Sequence, residues 1–371
     1  MDAQVVEAMA PYHVAEFYNP SALYCAAKAV RQQLEASRGA VAEVIGVKAA
    51  DIIFTAGGTE ANNMAILGVA QSFPGSHIVT TALEHDSVLA PINFLATQGW
   101  SKTEVQPAPS GVMDAQAVAA AITDQTVLVS VMYANNEIGT IQPIREIAQV
   151  IKTKIKYRKQ QNNTRPLYFH TDAAQAANYL DLHVHRLGVD MMTLNGGKIY
   201  GPKQSGVLYA AAHVRLTPII HGGGQEKGRR SGTENVAGII GFTAALQQAD
   251  RLRKSEAIRL KRLQTVFFEQ LKNHIPQATI NGSAKLRLPN NIHITIPGAD
   301  NERLVFGLDG AGIQCATGSA CSASKTESSH ALKALGLSDA AARASLRFTM
   351  GRETTINHVE QTVRLLAKIV A

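Results

Sequence analysis

Short apolar segments alternate with longer stretches of helical periodicity from Asp51 to Tyr209. The apolar segments predict strands, and helical patterns such as Glu60–Ala70 and Ile144–Ile155 lie between several of them. This alternation is typical of an α/β domain with a largely parallel sheet, which binds ligands beyond the carboxyl ends of its strands. The predicted strands are Ile52–Thr55, His77–Thr81, Thr126–Val131, Leu167–Thr171, Met191–Leu194 and Gly206–Ala210.

After Gly241 the alternation gives way to one long amphipathic helix, short strands and a closing helix. This mixture predicts a smaller α+β domain that packs on the first. We therefore expect a large domain at residues 1–245 and a small C-terminal domain at residues 246–371. The predicted elements of the second part are a helix at Phe242–His274, strands at Asn291–Ile296 and Ser345–Phe348, and a helix at His358–Ile369.

Composition agrees with two domains of an ordinary globular protein. The chain has 371 residues, of which 46% are hydrophobic and 18% charged, and no apolar run is long enough to span a bilayer. Its three cysteines, Cys25, Cys315 and Cys321, form no CxxC motif and are too few for a disulfide framework. We expect a cytoplasmic protein without membrane contact.

Two basic tracts carry much of the net charge of +7. Residues 152–165 are predicted to form a polar surface loop and residues 251–262 a solvated helix face. Neither tract has the interleaved aromatic residues of a nucleic-acid platform, so no direct nucleic-acid binding is predicted. His183 and His185 alternate in a strand-like segment, but without a third ligand we favour a structural role over a metal site.

Polar groups follow two of the predicted strands. Gly57 and Gly58 turn the chain after the first strand, and Thr59 is predicted to cap the next helix, so amides and a hydroxyl could cradle a phosphate. Asp172 ends another strand, where a carboxylate either caps a helix or pairs with a cationic ring nitrogen. Gln175 follows on the first turn of the predicted helix and can hydrogen-bond a phenolic oxygen.

A lysine follows the next strand in the segment Asn195–Lys203. Its glycines allow a ligand to approach the backbone closely, and Lys198 is either a surface amine or a Schiff-base lysine. The GxxxxGK order of a P-loop is absent. A lysine for an aldehyde, Asp172 for a ring nitrogen and a helix terminus for a phosphate together predict pyridoxal phosphate.

The chain resembles the cysteine desulfurases of the class V aminotransferase family, which are fold-type I pyridoxal-phosphate enzymes. The long segment around Cys321 is similar to that of the group I branch. The resemblance implies a fold-type I architecture, pyridoxal phosphate, L-cysteine as substrate and a homodimer. It covers nearly the whole chain through the motifs FTAGGTEANN, LEHDSVL, MYANNEIGTIQPI, HTDAAQAA, GGKIYGPK, HGGGQEKGRRSGTENV, GSACSA and SLRFTMGRETT.

The resemblance also assigns roles to individual residues. Lys198 matches the cofactor lysine, Asp172 and Gln175 match the residues on the ring nitrogen and the phenolic oxygen, and His85 matches the stacked imidazole. Residues matched to the phosphate or to the substrate carboxylate form a second group. For the phosphate these are Gly58, Thr59, Asn195 and, from the neighbouring subunit, Thr233; for the carboxylate they are Asn136 and Arg347.

Cys321 lies in a run of small and polar residues, which is an unusual place for a cysteine kept only for packing. The resemblance implies that Lys198 exchanges with the amine of L-cysteine and, with a nearby imidazole, moves its Cα proton. The Cys321 thiolate then attacks the substrate sulfur, alanine leaves, and Cys321 keeps a persulfide. A strand-like segment, Ile313–Ala316, and a helix, Ser328–Leu335, are predicted to pin the loop that carries Cys321. Cys315 is predicted to be a buried small hydrophobe.

Two positions depart from the family pattern. A serine and a histidine usually stand three residues and one residue before the cofactor lysine, where this chain has Asn195 and Gly197. Asn195 can still donate an amide hydrogen, but Gly197 offers no side chain, which predicts weaker cofactor binding. The family also opens with a strand and an Ala-Thr-Thr turn that would precede Met1, so we expect either a start assigned too late or a missing wall of the site.

Three interpretations remain open. The chain is a group I cysteine desulfurase, another class V enzyme such as a selenocysteine lyase or an aminotransferase, or a non-catalytic member that acts as a docking partner. Cys321 argues against the aminotransferase but not against the lyase. For a desulfurase, the sulfur acceptor would be an iron–sulfur scaffold protein, a transfer-RNA thiolation enzyme or a relay protein.

Overall fold

The structure is a computed structural model that describes residues 1–318 and 329–371. The chain forms two compact units, each assembled from several segments. Unit 1 comprises Met1–Val105, Ala115–Tyr133 and Pro143–Leu252. Unit 2 comprises Gln106–Asp114, Ala134–Gln142 and Arg253–Ala371.

Unit 1 is built on a seven-stranded sheet in the order β1-β7-β6-β5-β4-β2-β3. The neighbours from β3 to β6 pair in parallel, while β7 is antiparallel to both β6 and β1. The expectation of a largely parallel α/β sheet is therefore confirmed. The strands are β1 (Ile52–Thr55), β2 (His77–Thr81), β3 (Ser101–Val105), β4 (Thr126–Ser130), β5 (Tyr168–Asp172), β6 (Met191–Asn195) and β7 (Gly206–Ala210).

Burial explains which of these strands the sequence predicts. Every residue of β2, β4 and β5 is buried, as expected for parallel strands covered on both faces. The sequence did not predict β3, Ser101–Val105, because its SKTEV run has no apolar core and only Val105 is buried. An edge strand with charged residues of this kind is also protected against pairing with other chains.

Helices cover the sheet of unit 1. A buried apolar cluster includes Met64, Ile66 and Val69 of α3 together with Ile78, Leu128 and other strand residues. The helices up to the break between the units are α1 (Ala3–Met9), α2 (Cys25–Ile45), α3 (Gly58–Ser72), α4 (Asp86–Thr97), α5 (Ala115–Ala121), α6 (Ile144–Gln160), α7 (Val184–Leu187) and α8 (Val236–His274). The break falls inside α8, between Leu252 and Arg253.

Two local predictions in unit 1 are wrong. Most of the basic tract 152–165 is not a loop, because α6 continues to Gln160. The segment with His183 and His185 is not a strand: His183 is the N-cap of the short helix α7, which Gly188 ends in a left-handed conformation. In the basic tract, residues with high helix propensity outweigh the polar composition that suggested a loop. In the segment with His183 and His185, the terminating Gly188 outweighs the alternating pattern that suggested a strand.

Unit 2 contains a three-stranded antiparallel sheet in the order β10-β9-β8. Helix α12 begins with a capping box in which Thr355 and His358 exchange hydrogen bonds. The predicted strand Ile313–Ala316 is wrong, because only Ala316 forms an isolated bridge, with Arg347. The elements are β8 (Thr279–Ile280), β9 (Asn291–Thr295), α9 (Asn301–Asp309), α10 (His330–Ala334), α11 (Asp339–Ala342), β10 (Ser345–Thr349) and α12 (Ile356–Val370).

Among residues 1–318 and 329–371, none of the helices is both long enough and apolar enough to cross a bilayer.

A buried ion pair joins distant segments of unit 1. Both Arg38 guanidinium nitrogens Nη1 and Nη2 donate to the Glu226 carboxylate, at 2.7 and 2.8 Å, and both side chains are at most 5% exposed. Glu226 also accepts the Phe54 backbone amide of β1, at 3.0 Å. Glu226 and Lys227 have positive φ values of 48° and 59°, so this contact holds a strained turn in place.

We expect Glu226→Ala to lower the free energy of unfolding by about 3–5 kcal/mol, because Nη1 and Nη2 of the buried Arg38 guanidinium lose their carboxylate and only Nε stays ion-paired, with the exposed Glu35. The measurement is urea unfolding followed by circular dichroism. Arg186→Ala is the matched control, since its ion pair with Asp181 is exposed and is worth less than about 1 kcal/mol. Similar small losses in both variants would contradict a structural role for the buried pair.

Candidate active site

Several strands of unit 1 end at one edge of the sheet. β1 has the same direction as the parallel strands, because both it and β6 pair antiparallel with β7. Gly206, the first residue of β7, lies opposite Thr55 and Asn195, the last residues of β1 and β6. The turns that leave this edge carry Gly58, Thr59, His85, Asp172 and Lys198.

The turn after β1 depends on one glycine within it and on a second glycine in the neighbouring strand β7. Gly57 has φ 121° and is the N-cap of α3, and a Cβ on Gly206 would lie 2.7 Å from the Gly57 backbone. The prediction that Thr59 is the N-cap is therefore wrong, and Thr59 lies in the first turn of α3 with an exposed side chain. The amides of this first turn form a helix N-terminus of the kind that accepts a phosphate.

Asp172 is a buried carboxylate at the end of β5. It is 6% exposed, and its Oδ1 accepts the Ala174 amide at 2.9 Å. Its Oδ2 accepts the side-chain amide of Asn62 in α3 at 2.7 Å. Gln175 is partly exposed in a turn, because no regular helix begins until Val184. Asp172 is thus a fixed acceptor rather than a helix cap.

His85 is the N-cap of α4. Its Nδ1 accepts the Ser87 backbone amide at 3.0 Å and lies 2.8 Å from the Ser87 hydroxyl. Asn62 donates to that hydroxyl at 2.8 Å, so one amide contacts both the His85 turn and Asp172. The imidazole is partly exposed.

Lys198 ends a short 3-10 helix, Gly196–Lys198, directly after β6. Its side chain is exposed, and its carbonyl accepts the Asn178 side chain at 2.7 Å. Asn195 caps the 3-10 helix by accepting the Gly197 amide at 3.2 Å. A Cβ on Gly58 would lie 3.4 Å from Nδ2 of Asn195, so this amide nitrogen borders the turn after β1.

A second ion pair ties the loop before α8 to α3. Glu60 accepts Nε of Arg230 at 2.8 Å and the Ala56 amide at 3.1 Å. Thr233 lies three residues beyond Arg230, after Gly232 with φ 113°, and is exposed. The loop is therefore held at the turn after β1 while Thr233 faces solvent.

A cleft of about 450 Å³ opens beside this turn. Thr59, His85 and Ser87 line it together with apolar residues of α3 and α4. One of these is Phe94, which is 57% exposed. The cleft gives a ligand access to His85 from solvent.

Arg347 and Asn136, which the resemblance assigns to the substrate carboxylate, are in contact in unit 2. Nη1 of Arg347 donates to the Asn136 carbonyl at 3.0 Å. The Arg347 backbone exchanges two hydrogen bonds with Ala316, at 2.7 and 3.0 Å. The Asn136 carbonyl thus orients the Arg347 guanidinium, and Ala316 holds the backbone of β10 at this residue.

Both described residues next to the segment 319–328 lie near Glu137. The Ser329 hydroxyl donates to Oε2 of Glu137 at 2.6 Å, and a Cβ on Gly318 would lie 3.6 Å from the same oxygen. Glu137 follows Asn136, so Gly318 and Ser329 lie close to the Arg347–Asn136 pair. Cys321 itself lies outside the described residues.

Cys315 and Cys25 have different environments. Burial raises the pKa of the Cys315 thiol to about 11, and the nearby Asp309 carboxylate acts in the same direction. Cys315 is partly exposed rather than fully buried, and Cys25 is exposed. A thiol with so high a pKa is a poor nucleophile at neutral pH.

The aminotransferase class-V family model matches residues 1–361. The chain therefore belongs to the aminotransferase class-V family. It is 40% identical to the protein named cysteine desulfurase IscS from Dictyoglomus turgidum, over 99% of this chain and 91% of that relative.

Solved structures agree with this assignment. A NifS-like protein superposes with a TM-score of 0.90 at 29% identity and covers 100% of this chain and 96% of its own. A structure named SspA in complex with cysteine has a TM-score of 0.80 at 33% identity, over 94% of this chain and 95% of its own. The expected fold-type I architecture is confirmed by these likenesses.

The residues that hold the site together were not among those predicted from the sequence. Asn62 and Ser87 stand inside the motifs TEANN and EHDSVL but were not singled out. Neither residue type marks a site on its own, and only the fold brings α3 beside the start of α4 and the end of β5. The spacing of His85 and Ser87, two residues apart at a helix start, was the one available signal.

Glu84, directly before His85, is fully buried. Burial raises its pKa from the usual 4.5 to about 8, against the opposing effects of hydrogen bonds from the Met132 amide and the Thr81 hydroxyl. The neighbouring Asp172 carboxylate adds to the increase. Because the pKa in the folded protein is the higher one, the stabilising contribution of the protonated side chain is complete below about pH 4.5 and is lost as the pH rises through about 8.

We expect Glu84→Gln to gain stability relative to the unchanged protein as the pH rises from 5 to 8, by at most about 1.4 kcal/mol per pH unit. Gln keeps the acceptor oxygen and cannot ionise. The measurement is urea unfolding at several pH values, with Glu43→Gln on the exposed face of α2 as control. Parallel pH profiles for Glu84→Gln and the unchanged protein would show that Glu84 does not titrate differently on unfolding.

Proposed function

We propose that the chain is a cysteine desulfurase that uses pyridoxal phosphate to convert L-cysteine to L-alanine and keeps the sulfur as a persulfide on Cys321. The observation that carries the proposal is that a buried carboxylate, an imidazole and an amine, Asp172, His85 and Lys198, follow strands that end at one sheet edge. The relatives named as cysteine desulfurases, and a solved relative that holds cysteine, support the same substrate.

The residues present fit pyridoxal phosphate. Asp172 offers a fixed negative charge for a ring nitrogen, and the amides after Gly57 offer a helix N-terminus for a phosphate. The amide nitrogen of Asn195 lies beside that terminus, and Lys198 supplies the amine for an aldehyde. When bound, the cofactor supplies an electron sink for the substrate Cα.

Each residue then has a defined task. Asp172 keeps the ring nitrogen cationic, which strengthens the electron sink, and Lys198 with His85 moves the Cα proton. Arg347, with Asn136, binds the substrate carboxylate through its planar fork. The Cys321 thiolate forms a sulfur–sulfur bond with the substrate as the carbon–sulfur bond breaks, and alanine is released after protonation.

The partners are part of this proposal. Thr233 is exposed on a loop held by Arg230, which supports a homodimer in which Thr233 reaches the phosphate site of the neighbouring subunit. The persulfide on Cys321 would pass to an iron–sulfur scaffold protein or a transfer-RNA thiolation enzyme. Free thiols at Cys25 and Cys315 support a cytoplasmic location.

The function is tested by adding L-cysteine to the purified protein loaded with pyridoxal phosphate and measuring alanine and persulfide. We expect equimolar alanine and sulfide in the presence of a thiol reductant. Cys321→Ala should keep the cofactor absorption and lose at least about 100-fold of turnover, because it lacks the accepting thiolate. Cys25→Ser, which removes an exposed thiol elsewhere, should keep its activity.

Full turnover in Cys321→Ala would contradict the role of Cys321. Cofactor absorption without alanine from L-cysteine, but with alanine from L-selenocysteine, would indicate a selenocysteine lyase. Absence of cofactor absorption would indicate a non-catalytic member.

We expect Gly197→His to tighten pyridoxal-phosphate binding by about tenfold, through one added charge-assisted hydrogen bond to the phosphate. The structure has space for the side chain, because a Cβ on Gly197 would have its nearest neighbour at 3.7 Å. The dissociation constant is measured by fluorescence titration of the cofactor-free protein. Gly197→Ala is the control for the added Cβ, and equal constants for Ala and His would show that the phosphate is held elsewhere.

A further inference from the structure

A continuous hydrogen-bond chain links Asp172 to His85 inside unit 1. Asn62, which is 1% exposed, donates both to Asp172 Oδ2 at 2.7 Å and to the Ser87 hydroxyl at 2.8 Å. The Ser87 hydroxyl in turn lies 2.8 Å from Nδ1 of His85. Every link is short and lies largely in the interior of the protein.

The direction of each bond follows from its donors. An amide group has two N–H bonds, and those of Asn62 are both used, one for Asp172 and one for Ser87. The reverse orientation would place the amide oxygen against a carboxylate oxygen, and two acceptors repel. The Ser87 oxygen therefore accepts from Asn62 and directs its own hydrogen at His85.

A separate hydrogen bond, from the backbone, also shows that Nδ1 of His85 is an acceptor. The Ser87 backbone N–H, which can only donate, points at Nδ1 at 3.0 Å. A ring nitrogen that accepts a hydrogen bond in this way carries no proton, so the proton of the neutral ring is on Nε2. Within the described residues, Nε2 has no hydrogen-bond partner, and His85 lines the open cleft.

We infer that Asn62 and Ser87 are positioning residues that hold His85 with Nδ1 as acceptor, so that Nε2 is the nitrogen that gives and takes a proton. This inference rests on the proposed function only for the reaction in which His85 takes part. The orientation of the imidazole is set by hydrogen bonds within the protein and does not depend on that reaction. The same amide fixes Asp172, so the carboxylate and the imidazole share one rigid support.

The test reads the imidazole nitrogens directly. The cofactor-free protein is labelled with ¹⁵N-histidine and examined by long-range ¹H–¹⁵N correlation at alkaline pH, where histidine is neutral. The chain has twelve histidines, and the His85→Gln spectrum assigns the signals that disappear. We expect an unprotonated Nδ1 and a protonated Nε2 in the unchanged protein.

Two variants test the chain of donors. Ser87→Ala removes one of the two donors to Nδ1, so the Nδ1 resonance should move towards that of an unbonded ring nitrogen while Nε2 stays protonated. Asn62→Leu should move it less, because the Ser87 hydroxyl remains. Ser72→Ala is the matched control, since it removes a half-buried hydroxyl bonded to Gly68 and Thr217 elsewhere in unit 1 and should leave His85 unchanged.

Activity gives a second, separate measurement. Ser87→Ala should lower kcat by about two- to tenfold with KM changed less than about twofold, because one neutral hydrogen bond orients the proton-transfer group rather than the substrate. A protonated Nδ1 in the unchanged protein, or an Nδ1 signal that Ser87→Ala does not move, would overturn the inference. Because the spectra need neither cofactor nor turnover, that result is distinct from failure of the proposed reaction.

Discussion

Parallel pairing from β2 through β6 is the constraint on which the candidate site depends. Because these strands share one direction, the polar turns that follow them leave from the same edge of the sheet. The strands are buried on both faces, so a slip of one residue would turn Asp172 away from Asn62 and bring a different side chain into its place. Gly58 and Asn195, which differ widely in sequence position, meet because β1 and β6 both pair antiparallel with β7 and so end at the same edge.

Two ion pairs extend this rigidity to the loop before α8. Arg38 fixes Glu226 at the start of the loop, and Glu60 fixes Arg230 near its end. The residues between them include Lys227 in a left-handed conformation that an unsupported chain would leave. Thr233 therefore lies on a loop that is held by two ion pairs, and a contact with a second subunit would need little further ordering of this loop.

The sequence predicted most of the central strands, because a short apolar run of four to six residues between turns is compatible with few structures other than a buried strand. The bounds of β1, β2 and β7 are the predicted ones. It failed where local composition conflicts with the surroundings: β3 has no apolar run, and α6 carries a basic tract deep into its last turn. Lys198 and Asp172 could be singled out because their chemistry is distinctive. The support given by Asn62 could not, since an asparagine in a helix acquires its meaning only from partners that are distant in sequence.

The environment of Cys315 has a practical consequence for chemical labelling. With a pKa of about 11, its thiol is ionised in only about one molecule in ten thousand at neutral pH, while alkylating reagents react with the thiolate. Cys25, by contrast, is exposed and open to such reagents. Replacing Cys25 with serine should therefore remove the more reactive of the two described thiols, and Cys315 needs no replacement.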